Sequence, residues 1–369
     1  MNIEFKAHCD DSEHVDAVVR ARGGVLIRDH FEEDTYFTAE SARLKLRRSS
    51  ARVPRLITYV RSDEQKERKS DFEIAEFTSG SAGLTEQVLS REIGIKCKVS
   101  KRRKTYEGPG WLVNLDEFRG HSFVEVEIDT QTVPLDEARV LASDMREAFG
   151  VKKIDILSQS YEQLGRILDR AEGYRDRFGD RLHDLVLIDG PSGAGKSTMV
   201  SRLRQDLSDD QFRFIRRCTS RMRRPGDEII DEYEYLSSVD FALQADNGDF
   251  VEYRDFLFGM SYGVRWRDVY DALTASSVRK AFALVNLGNA RHIREFIPEA
   301  RLVLISAPID DLRARIEARG LHDLDAVEER LDNARMADEG LDLYDQIIWN
   351  TNGDVESAYT QLRHAVEGV

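Results

Sequence analysis

Up to about residue 130, apolar and polar positions alternate with a period of two. In the first segment Ile3, Phe5 and Ala7 point one way, and Asn2, Glu4 and Lys6 the other. The alternation recurs in Arg43–Arg47, Leu56–Arg61, Val99–Tyr106, Leu112–Asp116 and Phe123–Asp129. Successive side chains of a strand face opposite sides, so the pattern predicts an antiparallel sheet or barrel. Helical spacing follows at Leu135–Phe149 and Gln159–Arg170. Then comes Ala171–Asp180, charged and poor in apolar residues, which reads as a linker. Beyond it, Leu185–Asp189, Phe212–Arg216, Ala281–Asn286 and Leu302–Ser306 alternate with helical stretches. That order belongs to an open, mostly parallel sheet with helices on both faces. The expectation is two domains. Residues 1–168 form an antiparallel β-barrel or tunnel with flanking helices (α+β), 169–183 a linker, and 184–369 an α/β domain with a parallel sheet.

Composition narrows the setting. A chain of 369 residues exceeds what one core usually serves. With 41% hydrophobic and 33% charged residues it has a globular composition, and no apolar run approaches membrane-span length. The start, Met1-Asn-Ile-Glu-Phe-Lys6, is strand-like and lacks a signal-peptide pattern. Cys9, Cys97 and Cys218 are isolated, so neither a disulfide framework nor a CxxC metal site is indicated, and a cytoplasmic protein is expected. A net charge of −14 argues against broad adhesion to nucleic acid or membrane. Any anionic ligand must sit in a local basic pocket. The expected partners are small phosphorylated molecules, with a homodimer left open.

One motif carries specific chemistry. Asp189-Gly-Pro-Ser-Gly-Ala-Gly-Lys-Ser-Thr198 contains G-x-x-x-x-G-K-S between a strand-like run, Leu185–Ile188, and a helix start at Met199. This is the strand–loop–helix context of a phosphate-binding P-loop. Gly190, Ser192, Gly193, Ala194, Gly195, Lys196, Ser197 and Thr198 are the expected binding residues for ATP. Glycines let backbone N–H groups wrap phosphate oxygens, Lys196 holds the β- and γ-phosphates, and the Ser197 hydroxyl ligates Mg²⁺.

The first half carries charge on its strand faces. Arg43, Lys45 and Arg47 share one face, as do Glu125, Glu127 and Asp129, Tyr59 and Arg61, Lys101 and Arg103, and Asn114 and Asp116. Each face alone is what a half-solvated sheet displays. Together they would make a lumen with a cationic wall and an acidic patch, suited to a triphosphate with Mg²⁺ or Mn²⁺. Ile3-Glu-Phe-Lys6, Asp34-Thr-Tyr-Phe37, Arg43-Leu-Lys-Leu-Arg47, Lys101-Arg-Arg103, Leu115-Asp116 and Val124-Glu-Val-Glu127 resemble the CYTH superfamily, which includes class IV adenylate cyclases and thiamine triphosphatases. The resemblance covers roughly residues 1–168 and implies a triphosphate tunnel. In it Glu4, Asp116, Glu125 and Glu127 would bind metal. Lys6, Lys45, Arg47, Arg61, Lys101 and Arg103 would bind phosphate, with Lys6 counted among the catalytic residues. Asn2 stands where the family's E-x-E-x-K signature has its first acid. Cyclisation of a nucleoside triphosphate and hydrolysis of a triphosphate both fit such a site.

The second half resembles guanylate kinases. Arg221-Met-Arg-Arg-Pro-Gly-Asp227 matches a segment that binds the acceptor's phosphate, through Arg221 and Arg224. Tyr233, and Tyr262 within Gly259-Met-Ser-Tyr-Gly263, fall at phosphate-contacting tyrosines. Phe250-Val-Glu252 matches the segment with a guanine-contacting glutamate. Arg315, Arg319 and Arg330 match the catalytic arginines around the lid. The resemblance implies an ATP-dependent kinase with a P-loop fold. Two positions depart from it: Asn286 replaces an aspartate, and Val264 a hydroxyl residue used in guanine recognition. Ala283-Leu-Val-Asn286 and Tyr262-Gly-Val264 are closer to ribose 1,5-bisphosphate phosphokinase. The expected acceptor is a phosphate monoester, either a nucleoside monophosphate or a sugar phosphate. The alternatives are an active kinase beside a triphosphate-sensing barrel without catalysis, and a protein-binding scaffold with an inactive kinase fold.

Overall fold

The computed structural model describes residues 2–39, 42–61, 70–157, 159–223, 227, 231–256, 260–318, 324–352 and 354–368. The chain divides into two compact units, Met1–Gly165 and Arg166–Val369.

The first unit is one antiparallel sheet of β1 (Asn2–His8), β2 (Val25–Phe37), β3 (Arg43–Ser49), β4 (Arg55–Arg61), β5 (Ser70–Glu76), β6 (Ile95–Gly108), β7 (Trp111–Phe118) and β8 (His121–Asp129). The strand order is β1-β8-β7-β6-β2-β3-β4-β5. Helices α1 (Ser12–Ala21), α2 (Ser79–Glu92) and α3 (Leu135–Ala148) cover its apolar face. Val113, Val124, Val126 and Ile128 pack there with Val15 and Val19 of α1 and Ala138 and Met145 of α3. A smaller cluster joins Phe37 and Leu46 to Ala82 of α2.

The polar face turns inward. A cavity of about 150 Å³ is lined by Arg55 and Ile57 of β4 and by Glu127 of β8. Those strands stand five places apart in the sheet, which when flat would separate them by roughly 24 Å at ~4.8 Å per strand. The sheet therefore rolls around the cavity, as the charged alternation predicts. Alternation does not reveal β2. Its inward His30, Glu32 and Asp34 and its outward Asp29 and Glu33 are polar on both faces, because lumen and solvent both favour polar groups there.

The helix expected at Gln159–Arg170 is α4, Tyr161–Phe178, followed by a 3₁₀ turn at Gly179–Asp184. It runs on through most of the charged stretch that reads as a linker. A buried stripe of Ala171 and Phe178 holds that stretch helical, with Tyr174 stacked on Trp266 at 5.3 Å between ring centroids.

The second unit has a five-stranded, all-parallel sheet and a smaller mixed one. β9 (Leu185–Asp189), β10 (Phe212–Ile215), β15 (Lys280–Leu284), β16 (Arg301–Ser306) and β17 (Gln346–Trp349) pair in the order β10-β15-β9-β16-β17. β11 (Arg217–Thr219), β12 (Tyr233–Tyr235), β13 (Phe250–Phe256) and β14 (Met260–Arg265) form a second sheet in the order β12-β11-β14-β13. Two of its strands have three residues, too short for a periodicity to register. The helices are α5 (Lys196–Asp206), α6 (Ser238–Asp246), α7 (Trp266–Thr274), α8 (Ala290–Phe296), α9 (Ile309–Ala318), α10 (Leu324–Glu339) and α11 (Val355–Glu367). The core lies between the parallel sheet and α5, α9, α10 and α11, with Ile188, Leu203, Ile305, Leu331 and Leu362 fully buried. Among the described residues, no helix is long and apolar enough to cross a membrane.

Candidate functional site

The central strand β9 leads into the P-loop. Gly190, Gly193 and Gly195 have φ of 149°, 87° and 92°, a region that residues with a Cβ avoid. A Cβ on Gly190 would lie 2.0 Å from the Ile305 carbonyl oxygen. Lys196, the first residue of α5, donates through Nζ to the carbonyls of Gly190 and Pro191, the latter at 2.8 Å. Ser197 and Thr198 are exposed on the first turn of α5. Neighbours hold the loop from behind. Asn350 Nδ2 donates to the Ala194 carbonyl at 2.8 Å. Arg315 donates to the Gly193 carbonyl at 3.3 Å and to the Asn350 carbonyl at 2.8 Å. The buried Asp189 carboxylate accepts from the Gly190 N–H at 2.6 Å and from the Tyr344 hydroxyl at 2.7 Å.

A second cluster forms on the mixed sheet. The Arg221 guanidinium lies 4.6 Å from the Tyr233 ring centroid, and Tyr233 meets Tyr262 edge to face at 5.9 Å. Arg221 is held by Asp227 through two bonds of 2.7 and 2.8 Å, and Asp227 also accepts from Tyr235. Arg217 joins the group, donating to the Tyr233 hydroxyl at 2.7 Å. Beneath it Glu252 is 1% exposed. Its carboxylate accepts from Asn286 Nδ2 at 2.9 Å and Asn289 Nδ2 at 2.6 Å. Burial pushes the Glu252 carboxyl up to about 7, against the lowering effect of both asparagines. Asn286 is therefore a partner for Glu252, where an aspartate would place a second carboxylate against it. The half-buried Arg254 interacts electrostatically with both Asp189 and Glu252, linking the loop to this pocket.

In the first unit the inward charges form a continuous network. Asp34 accepts from Lys45 at 2.8 Å and takes a two-pronged bond from Arg47, both prongs at 2.7 Å. Asp116 does the same for Arg103, both at 2.6 Å, and also accepts from Lys101 at 3.0 Å and the Tyr161 hydroxyl at 2.6 Å. Burial raises the proton affinity of both aspartates, but the paired cations more than reverse this and hold them well below the usual carboxylate range. Glu32 bridges the two groups, 3.2 Å from Arg47 and 3.7 Å from Lys101. Lys6 and Lys101 each lie 4.3 Å from the Tyr161 ring centroid. Glu125 accepts from Arg103 at 2.7 Å. Glu127 sits opposite Glu4 in the β1–β8 register and accepts from Asn114 at 3.3 Å. Burial, and then the Glu125 charge, push its carboxyl above the ordinary value. Carboxylates crowded in this way have the chemistry of a divalent-cation site: hard oxygens whose repulsion a cation relieves.

Most residues expected to act together are therefore brought together. Lys6, Lys45, Arg47, Lys101, Arg103, Asp116, Glu125 and Glu127 share the lumen face, while Glu4 is exposed at its edge. Arg221, Tyr233, Tyr262 and Glu252 share the second-unit pocket. Arg315 braces the back of the P-loop, and Arg330 is exposed on α10. Arg224, Arg319 and the side chains of Asn2, Tyr59 and Arg61 lie outside the described residues. Glu32, Tyr161, Arg217, Arg254, Asn289 and Asn350 were not singled out from the sequence. Asp34 sits in a motif that gives it no role.

The guanylate kinase family model matches residues 182–369. The guanylate kinase of Nocardia farcinica is 33% identical over 180 residues, covering 48% of this chain and 90% of that protein. The crystal structure of guanylate kinase from Anaplasma phagocytophilum is 19% identical and covers 50% of this chain and 84% of that one, with a TM-score of 0.38. A putative adenylate cyclase from Vibrio parahaemolyticus is 16% identical and covers 43% of this chain and 94% of that one, with a TM-score of 0.35. Through its second unit, the chain belongs to the guanylate kinase family.

Proposed function

We propose that the chain is a two-site phosphotransfer enzyme. The second unit transfers a phosphoryl group from ATP to a phosphate-monoester acceptor, and the first unit acts on a triphosphate. The observation that carries the kinase reading is the open P-loop, braced by Asn350 and Arg315, in the same unit as the Arg221–Tyr233–Tyr262 cluster. The loop amides and Lys196 bind the donor's phosphates, Lys196 exchanging its carbonyl partners for phosphate oxygens. Ser197 would hold Mg²⁺, which neutralises donor charge when bound. Arg221, preset by Asp227, and the tyrosine hydroxyls orient the acceptor phosphate for in-line attack. Glu252 holds Asn286 and Asn289 in place, so guanine would have to displace existing bonds to reach its carboxylate. The acceptor in this reading is a phosphate monoester, a nucleoside monophosphate or a sugar phosphate, and GMP would bind only at the cost of those bonds.

In the first unit, Lys6, Lys45, Arg47, Lys101 and Arg103 bind the phosphate chain. Glu4, Glu125 and Glu127 would hold Mg²⁺ or Mn²⁺, and Asp116 sets the posture of Lys101 and Arg103. Incubation with ATP and Mn²⁺ followed by product separation distinguishes the reactions: cyclic AMP with pyrophosphate marks cyclisation, free phosphate marks hydrolysis. Lys196→Ala is expected to abolish kinase turnover on a panel of GMP, AMP, dTMP and ribose bisphosphate, and Glu127→Ala to abolish first-unit turnover. Retention of full turnover in both variants would sink both assignments.

A further inference from the structure

Within the second unit, one arginine faces both the P-loop and the acceptor pocket. Arg254 follows Glu252 by two positions on β13, so both side chains leave the same face of that strand. Its guanidinium donates to the Leu287 carbonyl, in the turn after β15. Asn286 and Asn289 of the same turn hold Glu252, and Asn289 also donates to the Tyr253 carbonyl at 3.1 Å. Gly288 completes the turn with a φ of 93°, and a Cβ there would strike Arg254 Nη1. At its base the turn is tied to the P-loop strand, where the Val285 N–H donates to the Ile188 carbonyl at 2.9 Å. Burial disfavours the Arg254 charge, whereas Asp189, Glu252 and Glu329 favour it. Those three acids come from the entrance of the P-loop, the acceptor pocket and helix α10. Burial also pushes the Asp189 carboxyl up, and Lys196 and Arg254, after Tyr344 and the Gly190 N–H, counter it.

We infer that Arg254 is a positioning residue for phosphoryl transfer, setting the donor loop against the acceptor pocket without touching either substrate. Lys196 gives up its loop carbonyls for phosphate oxygens when ATP binds, so its charge moves away from Asp189. Arg254, tied to the Leu287 carbonyl, stays. A fixed cation between acids on two walls holds those walls at one separation, because the attraction falls with distance on either side. In-line transfer depends steeply on that separation: a misplacement of about 1 Å slows a reaction about 10²-fold. The inference rests on the kinase reading of the second unit.

The test uses the full chain with ATP, Mg²⁺ and whichever of GMP, AMP, dTMP and ribose bisphosphate the wild type phosphorylates fastest. Arg254→Met, which keeps the bulk of the side chain and removes its charge, is expected to lower kcat by about 10²-fold. The KM values for ATP and for the acceptor should stay near wild type, because neither substrate loses a contact. Arg254→Lys keeps the charge and should recover part of the loss, which a role in packing alone would not give. Wild-type kcat in Arg254→Met, or equal losses in Arg254→Met and Arg254→Lys, would overturn the inference and leave the kinase reading standing. A raised KM at unchanged kcat would make Arg254 a substrate-binding group and overturn it as well. A wild-type chain that phosphorylates none of the four acceptors would overturn both.

Discussion

At the residue scale, individual side chains decide whether each site can form. Gly190 has no room for a Cβ, and its φ is one that only glycine adopts readily. Gly190→Ala should cost ~1–3 kcal/mol of backbone strain and abolish the ATP-dependent rise in melting temperature. Asp116 answers two cations and a hydroxyl at once, so Asp116→Asn leaves buried Lys101 with only the more distant Glu32 and Arg103 with Glu125 as charge partners among those described. We expect a loss of about 3–5 kcal/mol by denaturant unfolding, partly recovered when tripolyphosphate supplies the missing negative charge. Glu252 governs a pH effect. Its carboxyl binds a proton more readily folded, at about 7, than at its ordinary 4.5. Folding thus takes up a proton, and stability falls as pH rises from about 4.5 through about 7. The loss is about 3 kcal/mol at 1.36 kcal/mol per pH unit, and Glu252→Gln should flatten that slope. Equal slopes in wild type and variant would refute this role. The P-loop residues were legible because their spacing is itself the mechanism. Glu32 was not, because an acid in a strand polar on both faces carries no signal. Tyr161 was not, because it reaches Asp116 from 45 positions away.

At the element scale, a few contacts bind α9 and the end of β17 to the P-loop. Arg315 on α9 and Asn350 after β17 grip consecutive loop carbonyls, Gly193 and Ala194. The sequence placed Arg315 with the lid arginines; in the structure it braces the loop. Arg315→Ala should therefore raise the KM for ATP about tenfold, equivalent to ~1.4 kcal/mol, with a smaller change in kcat. A fall in kcat at unchanged KM would return Arg315 to direct action on the transferring phosphoryl group. Strand and helix types were readable wherever one face was apolar, as on β1, β7 and β8. They were not readable on β2, nor on the three-residue strands of the mixed sheet. The charged part of α4 read as a linker because its stripe of Ala171, Tyr174 and Phe178 is thin against its many charges.

At the scale of the whole molecule, each unit has its own core and its own cluster of cationic side chains. Lys196→Ala should remove the ATP-dependent stabilisation of the second unit and leave the response of the first to tripolyphosphate intact. A ligand at 100 times its Kd stabilises its unit by ~2.7 kcal/mol, a shift calorimetry resolves. A single substitution that silenced both responses would contradict independent sites. The inner wall of the first unit also has a consequence for assembly. Asp34, Asp116 and Glu32 already balance the cations around them, so a bare polyanion would upset a settled account of charge. Cation and polyanion should instead enter as companions, each tightening the other's hold by the same factor, as thermodynamic reciprocity demands.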